Sequence, residues 1–340
     1  MSTAPVNRIP VTIVSGFLGS GKTTLVNRIL HEAHGMRIAV IENELGEEGI
    51  DGEILLQDAR ERIVEMNNGC ICCTVRGDLV RILGDLAAKR AAGALDFAHV
   101  VIETTGLADP APVAQTFFAE PDVVRAYRLD GIVTLVDAKH GGVALTEHRE
   151  AQAQVGFADR LLLSKTDLVG EDESDALIAR LARMNARAEI KPAHHGRTDI
   201  ADLLDIGGFE LDHAADIEHL HAHAHQRHSD EIASFVYREA RPFDLDKLEN
   251  FLALLVDRYG ADMLRYKGIL SVAGRDERIV FQGVHGLLGA EPGKPWAAGQ
   301  TRASTLVFIG RKLPRTLFER GLSLCTADSD ADPATVLRAA

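Results

Sequence analysis

The sequence is short of cysteine, of basic charge and, near its start, of any long apolar run, and each shortage excludes something. Four cysteines in 340 residues do not make a disulfide framework of the kind that staples small secreted domains. Three of the four crowd into residues 70–73, and in a reducing compartment such a cluster reads as metal-binding or redox-active. Lys and Arg number 37 against 50 Asp and Glu, a formal net charge of -13. That balance argues against nucleic acid or an anionic membrane as partner, because both demand a basic surface. It is compatible with binding cations. The opening stretch MSTAPVNRIP has no apolar core, and the first apolar run, Val11 to Val14, is too short for a signal peptide or a membrane span. The cytoplasm is the expected location.

What is present is ordinary globular material: 46% hydrophobic and 26% charged residues, enough for a sizeable core and, at this length, about two domains. Up to about residue 205, short β-branched runs (Val11–Val14, Arg37–Ile41, Ile63–Glu65, Val100–Ile102, Ile132–Val136, Leu161–Leu163) alternate with amphipathic segments such as Thr23–His31, Asp78–Arg90 and Asp172–Met184. Continuous apolar strands separated by helices predict an α/β fold with a parallel sheet covered on both faces. From residue 205 to 230 the periodicity fades and histidines gather, in DHAADIEHLHAHAHQRH. Beyond this linker the order is strand Ile232–Arg238, helix Leu245–Val256, strands Ile269–Val272, Ile279–Val284 and Leu306–Ile309, then helix Arg315–Gly321. That order predicts a smaller α+β domain. The stretch from Thr326 is polar and Asp-rich and is expected to fray.

The chemistry begins at GFLGSGKT, residues 16–23. It has the P-loop spacing between a strand and a helix, with Gly16, Gly19 and Gly21 letting backbone amides turn inward onto phosphate oxygens. Lys22 is expected to reach the β- and γ-phosphates and the Thr23 hydroxyl to ligate Mg²⁺. With Ser20 and Thr24 these residues form the candidate phosphate contacts. The strand Val100–Ile102 runs into ETTG, residues 103–106, which places Glu103 as a catalytic carboxylate and the Gly106 amide as a γ-phosphate contact. The run Leu161–Leu163 leads into Ser164, Lys165, Thr166 and Asp167, resembling the Asn-Lys-x-Asp base motif of GTPases. Asp167 can accept two hydrogen bonds from guanine N1 and N2, a pattern adenine does not offer. Ser164 stands where the motif has Asn, which weakens one base contact.

Three thiols within four residues, Cys70, Cys72 and Cys73 in NGCICCTVR, converge on one ion only if the backbone turns sharply. Thiolates select borderline or soft cations, Zn²⁺ first, with Co²⁺ and Cu⁺ as competitors. Three ligands leave a fourth position open, which suits transfer better than storage. Taken in order, GFLGSGKTTL, ENELGEEGID, NGCICCTVR, ETTGLADP and SKTD resemble the CobW-like metallochaperone GTPases, and the likeness covers nearly the whole chain. The resemblance implies a SIMIBI-class P-loop GTPase domain over residues 1–205, a His-rich linker over 206–230, a CobW-type C-terminal α+β domain over 231–325 and a flexible tail over 326–340. It implies that Cys70, Cys72 and Cys73 hold the cargo metal. It also makes the segment from Glu42 to Asp51 switch I, whose Glu42 and Glu47 are candidates to support a metal or water.

In the linker, His219, His221, His223 and His225 alternate and can capture Zn²⁺ weakly. The expected function is a slow GTP-hydrolysing chaperone that binds a transition metal, zinc foremost, and transfers it to a metal-dependent acceptor apoprotein, with neither nucleic acid nor membrane as partner. Cobalt delivery for cobalamin synthesis, or metallocentre activation of an enzyme such as nitrile hydratase, changes only the cargo. A non-enzymatic zinc buffer or sensor is the rival of another class. A homodimer is a candidate assembly.

Overall fold

The structure, a computed structural model, describes residues 8–32, 35–42, 54–56, 74–193, 199–200, 203–208, 231–297 and 299–338. Glu47, the three clustered cysteines Cys70, Cys72 and Cys73, the linker histidines and the expected strand Ile63–Glu65 lie outside them. Two compact units divide the chain, Met1–Ile178 with Ala188–Phe209 and Ala179–Arg187 with Glu210–Ala340.

The first unit is built on seven strands: β1 (Ile9–Gly16), β2 (Ile38–Glu42), β3 (Ile54–Leu56), β4 (His99–Glu103), β5 (Tyr127–Asp137), β6 (Arg160–Ser164) and β7 (Glu189–Ala193). Their order is β3-β2-β4-β1-β5-β6-β7. All pairings are parallel except that of β3, which runs antiparallel to β2. Its helices are α1 (Lys22–His31), α2 (Thr74–Ala91), α3 (Ala111–Ala119), α4 (Pro121–Ala126), α5 (Gly141–Glu147) and α6 (Arg149–Phe157), together with the start of α7 (Glu171–Met184), whose residues from Ala179 on belong to the second unit. The parallel architecture follows from strands apolar on both faces; β4 is buried at every residue. Helix α1 lays Leu25, Val26, Ile29 and Leu30 onto Val14, Val40, Val101 and Val133 of the sheet, an i, i+1, i+4, i+5 stripe that faces one core. From β1 the chain turns toward β2 and from β5 toward β6. The carboxyl ends of β1 and β5 therefore flank a topological switch point, where such sheets bind ligands.

Under that face lies a buried polar knot. Thr12 Oγ1 donates to Asp130 Oδ2 (3.2 Å) and lies 2.8 Å from His99 Nε2. Asp130 also accepts from the backbone N–H of Ile206 and Gly207, tying residues 203–208 to the sheet. Thr12 has one hydroxyl hydrogen and Asp130 takes it, so His99 donates from Nε2.

The second unit carries β8 (Ile232–Glu239), α8 (Leu245–Tyr259), β9 (Met263–Leu270), β10 (Glu277–Val284), β11 (Leu287–Pro295), β12 (Ser304–Arg311), α9 (Arg315–Leu324) and α10 (Ala334–Arg338). Its five strands form an antiparallel sheet in the order β11-β10-β9-β12-β8. Phe235, Phe251, Phe281, Phe308, Phe318 and Tyr266 make its core. Helix α8 starts where Asp244 accepts from the Lys247 amide, an N-cap. The strand expected at Ile269–Val272 lies earlier, at Met263–Leu270. Arg265 and Lys267 disguise it, since both are buried at 2% and 4% exposure while Met263 and Tyr266 fill the core. The expected frayed tail is also corrected. Thr326 and Leu337 are buried, Lys247 Nζ donates to Ser329 O and Arg258 Nη1 donates to Leu337 O at 2.6 Å, so residues 326–338 close this core.

Candidate nucleotide site

Strand β1 ends in a loop whose glycines take up φ values that side chains rarely adopt: 142° at Gly16, 71° at Gly19 and 101° at Gly21. At Gly16 a Cβ would also stand 2.5 Å from Leu135 O. Gly21 precedes α1, and no side chain caps that helix. Its first-turn amides and the dipole are left for an anion. Lys22 is buried, with Nζ 2.8 Å from Gly16 O and 3.3 Å from Phe17 O. Burial lowers its pKa, and the nearby Glu103 charge opposes that. The buried hydroxyls of Ser15 and Ser20 have no hydrogen-bond partner, unusual for buried polar atoms and expected where a polar ligand completes the site.

Beside β1, β4 ends in Glu103, whose Oε1 accepts from Thr23 Oγ1 at 2.9 Å. The next turn packs hard against the P-loop: a Cβ on Gly106 would lie 2.9 Å from Leu18 Cα. From behind, Gln154 of α6 donates through Nε2 to Gly106 O (3.1 Å) and Ala108 O (3.0 Å). Glu42 pairs in register with Glu103 at the end of β2, which sets two carboxylates on neighbouring strand ends. Thr24 is exposed on the first turn of α1.

On the other side of β1, Ser164 Oγ donates to Ser20 O at 2.7 Å, so the start of the base motif is bonded to the phosphate loop. Lys165 follows in the left-handed conformation at φ 57°. Its Nζ stands 2.7 Å from Asp137 Oδ2. Thr166 and Asp167 open a short 3₁₀ turn, with Asp167 exposed. Gly16–Thr23, Glu103–Gly106 and Ser164–Asp167 thus stand together at the carboxyl ends of β1, β4 and β6. Glu42 joins them at the end of β2. Sequence reasoning passed over Asp137 and Gln154. Asp137 carries the same signal as Glu103, a carboxylate closing an apolar strand, whereas nothing in the sequence marks Gln154.

A phosphate cradle between strand and helix, a carboxylate on the adjacent strand and six parallel strands define a P-loop nucleotide-hydrolase domain. The chain belongs to the CobW family: residues 10–192 match the CobW/HypB/UreG, nucleotide-binding domain and residues 232–326 the Cobalamin synthesis protein cobW C-terminal domain. It is 41% identical over 309 residues to the zinc chaperone YjiA of Escherichia coli (strain K12), covering 91% of this chain and 96% of that protein. It is 33% identical over 360 residues to the zinc chaperone CobW of Pseudomonas aeruginosa, covering 94% and 92%. The crystal structure of Zn(II)-bound YjiA GTPase from E. coli superposes with a TM-score of 0.74 at 38% identity, covering 92% of this chain and 97% of that one.

Proposed function

We propose that this chain is a GTP-hydrolysing metallochaperone that carries zinc to metal-dependent apoproteins. It is a GTPase of the CobW family, and the observation that carries the reading is the convergence of phosphate loop, Glu103 and base motif at the carboxyl ends of β1, β4 and β6. In this reading the P-loop amides and Lys22 hold the phosphates and neutralise charge as the γ-phosphate leaves. Asp167 reads guanine, and Ser164 keeps the base motif at a fixed distance from the phosphate loop. Thr23 and Glu103 offer two hard oxygen donors 2.9 Å apart, a donor set that fits Mg²⁺. Bound there, the ion would supply further neutralisation of the β- and γ-oxygens.

The cargo reading rests on the thiol cluster and on relatives named as zinc chaperones. Cys70, Cys72 and Cys73 take the ion, and the linker histidines His219, His221, His223 and His225 capture it weakly. GTP organises the segment that carries the thiols; hydrolysis loosens it in the presence of an acceptor. Linkage supplies the test. If GTP tightens zinc, zinc must tighten GTP by the same factor, on the order of 5–150-fold for such couplings. Competition titrations of Zn²⁺ and Co²⁺ against the GTP-bound, GDP-bound and nucleotide-free protein should show zinc held best with GTP. Equal affinities in all three states would remove the switching mechanism. A preference for cobalt in every state would move the cargo.

A further inference from the structure

Asp137 closes β5, next to β1, and the proposed hydrolysis does not use it. Its side chain is 9% exposed and fully occupied. Oδ1 accepts from the amides of Lys139 (2.8 Å) and His140 (3.1 Å), while Oδ2 stands 2.7 Å from Lys165 Nζ and 3.2 Å from His140 Nδ1. Burial alone would raise its pKa, but the bonds from Lys165, His140 and Lys139 outweigh it and hold the carboxyl below its ordinary value. The partner is unusual too. Lys165 is one of four non-glycine residues with positive φ among the described residues, and its side chain is 38% exposed. An ion pair between two mobile surface chains is worth little, because ordering both costs entropy. Here one partner is already fixed by two backbone amides, so that cost falls on the lysine alone.

We propose that Asp137 is a positioning residue of the nucleotide site, holding the Lys165 ammonium so that its alkyl stem forms one wall for the purine. This rests on reading Ser164–Asp167 as the base motif. The wall acts on the base, which GTP and GDP share, and not on the γ-phosphate. Its loss therefore weakens both nucleotides alike.

Asp137→Asn in the full chain isolates the effect. Asparagine keeps an oxygen for the Lys139 and His140 amides and withdraws the charge from Lys165. Fluorescent GDP and GTP analogues should each bind about tenfold more weakly, the equivalent of one charge-assisted hydrogen bond. KM for GTP should rise in step, with kcat changed much less. Lys165→Met alters only the exposed partner and should reproduce the loss. In the double variant the losses should not add, since both remove one interaction. Unchanged affinity in either single variant, or additive losses in the double, would overturn the proposal. So would weakening confined to GTP, which would place Asp137 at the phosphate end. Asp167→Asn tests the underlying assignment separately: an unchanged preference for GTP over ATP would show the guanine pocket misplaced, whatever Asp137 does.

Discussion

In the first unit, burial and hydrogen bonding set the protonation state of single side chains. His99 is the clearest. It is 2% exposed, and burial holds its pKa well below the usual imidazole range, opposed by Asp130 and reinforced by Arg128, with Asp205 opposing more weakly. The folded state therefore keeps His99 neutral, while the unfolded chain protonates near pH 6.5. Its contribution is complete above that pH and is lost as pH falls toward the depressed folded value, because the unfolded state then binds the extra proton. Between pH 7.5 and 5.5 the loss should reach about 1 kcal/mol. His99→Gln retains a donor toward Thr12 without a titrating group. Urea unfolding at the two pH values should show a smaller pH dependence in the variant; equal dependence would mean that His99 does not titrate as its burial implies. None of this was legible in the sequence, where His99 reads as the residue before an apolar strand. Glu103 and Lys22 were legible because motif spacing places them. Asp137 and Lys165 are 28 residues apart, and only the parallel pairing of β5 with β6 makes them partners.

At the scale of elements, legibility follows burial. Strands β1, β4, β5 and β6 are covered on both faces, so their apolar runs stand out. Strand β7, of sequence EIKPA, is largely exposed or half-buried, and β11 is exposed along most of its length, so neither shows a period. Helices α3 to α6 have only 6 to 9 residues each, too few turns to declare an amphipathic stripe. Yet α6 carries a consequence for the site. Its Gln154 is 1% exposed and clamps the carbonyls of Gly106 and Ala108, while Leu18 abuts the same turn from the P-loop side. The turn that follows Glu103 is thus gripped from two elements. Gln154→Met preserves length and removes both donors. The released turn should lower kcat for GTP by about ten- to a hundredfold, as small misplacements of catalytic groups do. GDP affinity should hold if this turn contacts the γ-phosphate, as proposed for Gly106. Single-turnover hydrolysis measured beside GDP binding checks this, and a kcat equal to that of the native chain would show the clamp to be packing alone.

For the whole molecule, the question is what each unit does by itself. Gly16–Thr23, Glu103–Gly106, Asp137, Gln154 and Ser164–Asp167 all belong to the first unit, and the aromatic core around Phe251 belongs to the second. If hydrolysis is a property of the first unit and delivery needs the second, a lesion in the second core should separate them. Gly321 offers that lesion. It faces Phe251 so closely that a Cβ would overlap the ring, and Phe251 is fully buried, with little freedom to yield. Overpacking of this kind costs about 1–3 kcal/mol. The chain carries its own reporter, since its one tryptophan, Trp296, follows β11 in the second unit, with the Arg278 guanidinium 4.8 Å over its ring. Gly321→Ala should lower the denaturation midpoint followed by Trp296 fluorescence. Acceptor-free GTP turnover should persist through conditions in which that signal is already lost, while zinc transfer to an apoprotein fails. Turnover that disappears together with the Trp296 signal would make the second unit part of the hydrolytic machinery itself.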